Sequence, residues 1–206
     1  EMLRSLVGSE MCIRDRFYLA NEVKAMMIVD EAHSAGVLGK ELLGIFEYYG
    51  LAINERHIKM GTLGKAYGSY GAYILASKNV ISFLENRAKP IIYSTAPSVF
   101  DTALALVNLE HIRKNAAKYT RKILERQKVV SKQLGIPCQS LIVPMEMPNN
   151  EQTLFVQKGL MEQGYLVGAI RQPTVEKPIM RVILNLDVPT QKIRHVLALI
   201  SHNTVQ

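Results

Sequence analysis

Two short phrases constrain this chain more than any bulk property: Val29-Asp30-Glu31-Ala32-His33-Ser34-Ala35-Gly36 and Gly61-Thr62-Leu63-Gly64-Lys65-Ala66-Tyr67-Gly68. The first completes the apolar run Ala25-Met26-Met27-Ile28-Val29, which is short, uncharged and bounded by polar residues. Such a run predicts a buried strand with an acid and an imidazole at its carboxyl end. In an open α/β sheet that end is where ligands bind. The second phrase sets Lys65 among glycines and beside Thr62, between the predicted strands His57–Met60 and Gly71–Ala76. An acid, an imidazole and a lysine at one strand edge suit a pyridine-aldehyde cofactor. The acid holds the ring nitrogen protonated, the lysine forms a Schiff base, and the ring serves as an electron sink.

Each of these residues also has a plainer role available. Asp30 could cap a helix or enter a structural salt bridge, although a carboxylate ending a buried strand needs some partner to offset its desolvation. His33 could stack on a cofactor or hydrogen-bond one of its oxygens, or it could be a structural histidine. Lys65 could sit in a merely flexible loop, but Gly61, Gly64, Gly68 and Gly71 around it favour close approach of backbone to a bulky ligand. Thr62 offers a hydroxyl to a phosphate. The same phrases have a superficial likeness to the acidic box and phosphate loop of a nucleic-acid ATPase. That reading fails on detail: Lys59 stands five residues before Gly64 where a phosphate loop needs glycine, and Ala66 follows the lysine where it needs Ser or Thr. The order is inverted as well, because the loop should precede the box.

Composition narrows the class without choosing a chemistry. The chain has 206 residues, of which 48% are apolar and 21% charged, as expected of a globular protein of one or two domains. No apolar run approaches the roughly 18 residues of a membrane span. Cys12 and Cys138 provide neither a disulfide framework nor metal-ligand spacing, so no metal is expected and a reducing, cytoplasmic setting is the default. The formal charge of +7 is spread through helical segments such as Arg113–Lys132 and is not interleaved with aromatics, which argues against nucleic acid as a partner. His57, His111, His195 and His202 show no ligand spacing, and Cys138 has no base nearby in sequence.

Residues 1–16 read differently from the rest. Leu6 to Arg16 resembles a transposase tagmentation oligonucleotide translated in frame, so the segment is set aside as an adapter-derived artefact. Genuine protein is then expected to begin near Phe17, in mid-domain, as the carboxyl-terminal part of a longer enzyme. Glu1, Arg4, Glu10, Arg14, Asp15 and Arg16 sum to zero charge, so the exclusion leaves the net charge unchanged.

Downstream, the pattern predicts a helix over Glu41–Tyr49 stopped by Gly50, and a helix from Ser77 to about Arg87. A short strand follows at Ile91–Tyr93, and helical sequence runs from Ser98 to about Leu134. Polar content at Lys114-Asn115 marks a helix break and a domain boundary, giving a large domain over 17–113 and a small one over 114–206. The small domain reads as α+β: strands at Leu141–Val143, Leu166–Ile170 and Met180–Leu184, and helices at Glu151–Gln163 and Thr190–His202.

Taken together, Asp-Glu-Ala-His-Ser-x-Gly followed by Gly-Thr-Leu-Gly-Lys-Ala resembles the α-oxoamine synthases, and the resemblance covers Phe17 to the end. It implies an α/β fold: the carboxyl-terminal part of a fold-type I transferase dependent on pyridoxal 5′-phosphate, with a mostly parallel sheet and a small α+β domain. It further implies that Asp30 pairs with the pyridine nitrogen, His33 contacts the ring hydroxyl, Lys65 carries the cofactor and Thr62 binds its phosphate. Tyr93-Ser94-Thr95 is similar to a family segment whose threonine reaches the phosphate of the neighbouring subunit's site, which implies a homodimer with shared sites. Within the family, Ala169-Ile170-Arg171-Gln172-Pro173-Thr174-Val175 is most similar to the branch that joins L-alanine to a pimeloyl thioester in biotin synthesis. Sister branches condense glycine with acetyl- or succinyl-CoA, or serine with a fatty acyl-CoA. Thr174 belongs to that substrate loop. The family pattern continues to Arg-x-Arg, whose second arginine grips the amino-acid carboxylate. Here Arg181 matches the first and Ile183 stands in place of the second, which leaves Arg181 or Arg171 for that task. The family's amino-terminal half is absent from the chain, so the chain alone is expected to be inactive and to bind cofactor weakly.

Overall fold

The tetrapeptide Met27–Asp30 forms β1, and its partner is β2, His57–Thr62, in parallel register from Met27 opposite His57 to Asp30 opposite Met60. This description rests on a computed structural model that describes residues 10–204. β3, Ala72–Leu75, returns antiparallel to β2, so the first sheet has the order β1-β2-β3 with one parallel and one antiparallel pairing. The family resemblance implied a mostly parallel sheet; in this sheet β1 and β2 are parallel, and β3 returns antiparallel through the connection that carries Lys65. α1, Glu10–Glu22, runs across the expected start of genuine protein near Phe17. Residues 1–9 of the expected adapter segment lie outside the described residues.

β1 also corrects the expectation of a fully buried strand. Its residues alternate, with Met27 and Val29 half-buried but Ile28 74% exposed and Asp30 exposed. Period-two alternation of this kind is what one covered face produces. The core of this unit lies on the other side of the sheet and beneath the loop after β1. There Phe17 of α1, Phe46 and His57 pack as mutually edge-on or tilted rings 5.2–5.5 Å apart. His57 is buried in that cluster, and its pKa is pushed down, first by desolvation and then by the adjacent Arg56 charge.

The short helix α2, Ile45–Tyr49, ends at Gly50 in the left-handed conformation, whose N–H reaches the Glu47 and Phe46 carbonyls. The pattern had predicted a start at Glu41. The Glu47 carboxylate instead takes the Glu41 and Leu43 backbone N–H groups at 2.7 and 2.9 Å, which holds residues 41–44 in a loop. α3 spans Lys78–Arg87. The expected strand at Ile91–Tyr93 is a helical turn instead, α4, Lys89–Ile92, because Pro90 in the first turn presets the helical φ and needs no donor. α5, Val99–Lys114, is capped by the Ser98 hydroxyl, which accepts the Asp101 N–H at 3.0 Å. It stops at Asn115, and α6, Ala116–Leu134, begins at the next residue, so the helix break falls where polar residues interrupt the apolar pattern.

The chain divides into two compact units between Thr120 and Arg121. In the second, β4 (Ile142–Glu146), β5 (Gly168–Ile170) and β6 (Ile179–Ile183) form an antiparallel sheet in the order β4-β6-β5. Pro144 is accommodated because β4 is an edge strand, where a missing N–H breaks no ladder on the outer side. α7, Asn150–Glu162, is capped by Asn149, whose side chain accepts the Gln152 N–H at 2.8 Å. α8, Thr190–Ser201, buries Ile193, Val196, Leu197 and Ile200, the i, i+3, i+4, i+7 stripe of an amphipathic helix. That stripe closes over Met180, Val182 and Leu184 to form the core of the unit. Among the described residues no helix is long and apolar enough to cross a membrane.

Candidate active site

Parallel pairing of β1 and β2 brings both carboxyl ends to one sheet edge, so the turn after Asp30 and the loop carrying Lys65 emerge side by side. Asp30 Oδ1 accepts the Ala32 N–H at 2.9 Å, which folds the chain sharply after the strand, and the exposed carboxylate keeps its second oxygen without a hydrogen-bond partner among the described residues. The Ser34 and Ala35 N–H groups both bond the Glu31 carbonyl, at 3.1 and 3.0 Å, completing a helical turn that puts His33 on its exposed side. There His33 Nε2 lies 3.2 Å from Lys65 Nζ. Two groups 32 residues apart in sequence are thus in hydrogen-bond contact at the strand edge that also bears Asp30.

The lysine loop is held from beneath. Leu63 N bonds the Gly71 carbonyl at 2.8 Å and Ser69 N bonds the Leu63 carbonyl at 2.9 Å, closing the loop on itself. Asn108 Nδ2 donates to the Tyr67 carbonyl at 2.7 Å and Ser69 Oγ to the Asp101 carbonyl at 2.6 Å, pinning it to α5. Tyr67 is buried with its hydroxyl against Tyr73; burial is the largest cause that raises the pKa of each, so both phenols stay protonated under a lysine that is itself exposed.

Two glycines near the site are required by close packing within the protein. Gly61 makes room for the Tyr73 ring, which a methyl group at that position would overlap. Gly36 has φ +82° and lies so close to Ala66 that a Cβ there would overlap the Ala66 methyl. It is therefore the point where the His33 turn touches the Lys65 loop. Gly36→Ala is expected to lower stability by about 1–2 kcal/mol for the left-handed backbone and about 1–3 kcal/mol more for the overlap. A thermal melt would measure it, and a melting temperature equal to the parent's would show that the two loops can part without cost.

The other candidate residues lie elsewhere. Thr62 ends β2, and its Oγ1 is buried with no hydrogen-bond partner among the described residues. Thr95 lies in the exposed link between α4 and α5, beside Tyr93. In the second unit Arg171 and Thr174 occupy an exposed turn after β5, where Thr174 N bonds the Arg171 carbonyl at 3.0 Å. Gln172 N reaches Asn150 Oδ1 at 3.2 Å and ties that turn to the start of α7. Arg181 and Ile183 share the exposed face of β6, and the Arg181 side chain lies against Gly168 on the neighbouring strand, 3.7 Å from Nε to a Cβ built there. One participant escaped the sequence reading altogether. Glu31, inside the first phrase, is fully buried and ion-paired with Lys59 at 3.2 Å. A charged residue beside two reactive ones gives no outward signal of burial; only Lys59, flanked by the apolar Ile58 and Met60 in β2, hinted at a buried partner.

The class I and II aminotransferase profile matches residues 13–200, and the chain belongs to that family. An 8-amino-7-oxononanoate synthase of Helicobacter pylori (strain J99) is 44% identical over 162 residues, which is 79% of this chain and 43% of that protein. The 8-amino-7-oxononanoate synthase structure from Francisella tularensis superposes with a TM-score of 0.71 at 27% identity, over 85% of this chain and 53% of the other. A serine palmitoyltransferase from S. paucimobilis, solved with a bound PLP-myriocin aldimine, superposes with a TM-score of 0.80 over 92% of this chain and 50% of the other; at 20% identity it speaks for the fold alone. The chain spans about half the length of the relatives it matches. Its fold is that of the fold-type I transferases, of which pyridoxal 5′-phosphate is the cofactor. The residues fit that group: a buried hydroxyl lacking a partner at Thr62, an exposed amine at Lys65 and a carboxylate with one oxygen uncommitted at Asp30 meet at one sheet edge.

Proposed function

We propose that this chain is the carboxyl-terminal part of a pyridoxal-phosphate-dependent C-acyltransferase. It condenses L-alanine with pimeloyl-CoA or a pimeloyl carrier protein, with loss of carbon dioxide and release of the free thiol of CoA or the carrier, to 8-amino-7-oxononanoate for biotin synthesis. The observation that carries the reading is the 3.2 Å contact of Lys65 Nζ with His33 Nε2 on the edge that bears Asp30. Similarity to the Helicobacter and Francisella proteins supports the choice of reaction. Bound at this edge, pyridoxal 5′-phosphate would supply an aldehyde for the amine and a protonated ring able to serve as an electron sink.

The residues divide the remaining work. The Asp30 carboxylate keeps the proton on the ring nitrogen, and the Thr62 hydroxyl donates to the phosphate. Lys65 Nζ would hold the cofactor's aldehyde end and is placed to take the amino-acid α-proton as a general base. His33 fixes the ring hydroxyl or polarises the acyl carbonyl. Arg181, or Arg171, grips the amino-acid carboxylate, and Thr174 lines the substrate loop. Thr95 reaches the phosphate of a neighbouring copy's site, so the working unit is a homodimer with shared sites, in the cytoplasm. The 206-residue chain assayed by itself is expected to be inactive.

The full-length protein incubated with L-alanine and a pimeloyl thioester is expected to release carbon dioxide and an aminoketone whose mass identifies the product. Turnover of glycine with acetyl- or succinyl-CoA in its place would move the protein to a sister branch. Arg181→Ala is expected to raise the amino-acid KM about 10–100-fold with kcat little changed, as loss of a charged hydrogen bond of about 1.5–3 kcal/mol dictates. An unchanged KM would transfer the carboxylate to Arg171.

A further inference from the structure

Among the described residues Glu31 is the one fully buried acid beside the site, and the proposed chemistry gives it no task. Its carboxylate gathers three separate segments. Oε2 accepts the Ser34 hydroxyl at 2.7 Å and the Ile45 N–H at 2.6 Å, while Oε1 meets the Lys59 ammonium at 3.2 Å as an ion pair without hydrogen-bond geometry. Lys59 also donates to the Leu43 carbonyl at 2.7 Å, and the Glu31 N–H bonds the Met60 carbonyl at 2.7 Å. Lys59 lies in β2, the strand that leads to Lys65, and Ser34 is the neighbour of His33. Both arms that meet at the His33–Lys65 contact are therefore tied to one buried carboxylate.

We propose that Glu31 and Lys59 act as a positioning pair that sets His33 against Lys65, an inference that rests on the functional reading above. A buried ion pair that only stabilises a fold is replaceable by apolar residues with little loss. This one differs because the oxygen that holds Ser34 and Ile45 fixes a turn whose exposed side chain has to meet a group on another loop. Misplacement of such a group by about 1 Å costs on the order of 10²-fold in rate.

Two double variants in the full-length protein separate positioning from packing. Glu31→Leu with Lys59→Met removes both charges and the acceptor oxygen, whereas Glu31→Gln with Lys59→Met removes both charges and keeps an acceptor for Ser34. The first readout needs no substrate: titration of the apoprotein with pyridoxal 5′-phosphate, followed by its Schiff-base absorbance. Both double variants are expected to melt near the parent. The leucine variant is expected to bind cofactor at least tenfold more weakly and to lose at least tenfold in kcat, with amino-acid KM within twofold of the parent. The glutamine variant is expected to recover most of both. Parent-like binding and turnover in the leucine variant, or losses in the two variants that are equal and follow their melting temperatures, would overturn the inference. A parent protein that takes up no cofactor overturns the functional reading itself, and this inference with it.

Discussion

Lys65→Ala in the full-length protein is expected to abolish the Schiff-base absorbance that pyridoxal 5′-phosphate gives with the parent, and to leave turnover at least 10²–10⁴-fold lower. The lower bound comes from proton transfer alone, which a positioned base accelerates by about that factor; loss of the covalent step adds to it. The choice of residue follows from geometry. Lys59, in β2, is committed to Glu31 and the Leu43 carbonyl, whereas Lys65, in the loop that follows the strand, is exposed and has the His33 ring at 3.2 Å. The loop beneath is held by Asn108 and Ser69 and not by the lysine side chain, so removing that side chain should leave the melting temperature close to the parent's. Absorbance that survives in Lys65→Ala would assign the cofactor to another amine and defeat the functional reading.

The parts of this arrangement that were legible in the sequence are those governed by local pattern. β1 announced itself as a short apolar run ending in polar residues and β2 as the segment leading into the lysine turn, while α7 and α8 lie within a residue or so of the helices expected at Glu151–Gln163 and Thr190–His202. Asp30, His33, Thr62 and Lys65 were expected near one another because two short strands end in or lead into them, and the parallel register of β1 and β2 places those strand ends on one sheet edge. What escaped depends on contacts distant in sequence. Ile91–Tyr93 reads as a strand from three residues, and a triplet is too short for either periodicity to decide; Pro90 and the Ala88 carbonyl, which takes the Ile91 and Ile92 N–H groups at 2.8 and 3.0 Å, settle it as helical. The helix expected from Glu41 lost its first turn to the Glu47 carboxylate. Burial of β1 was overestimated because an apolar run tells nothing of which face will find a cover, and Ile28 has none here. Glu31 was passed over because its pairing with Lys59 spans 28 positions and is made only when β1 and β2 come together.

Asp30→Asn tests the electrostatic half of the site without disturbing its shape. The side-chain carbonyl of asparagine can still accept the Ala32 N–H that Asp30 Oδ1 takes at 2.9 Å, so the turn presenting His33 should persist. Only the negative charge is lost, and with it the reason for a proton to remain on the ring nitrogen. A neutral ring is a poorer electron sink, so the step that forms negative charge at the amino-acid α-carbon should slow by on the order of 10²–10³-fold, the range found when one preorganised electrostatic contact is removed. The Schiff base with Lys65 should still form, since the aldehyde and the amine are untouched. Asp30→Asn and Lys65→Ala are thus expected to fail in different ways, one keeping the absorbance and losing the rate, the other losing both. An Asp30→Asn protein that turns over at the parent's rate would place the ring nitrogen elsewhere and return Asp30 to the role of a turn-capping residue.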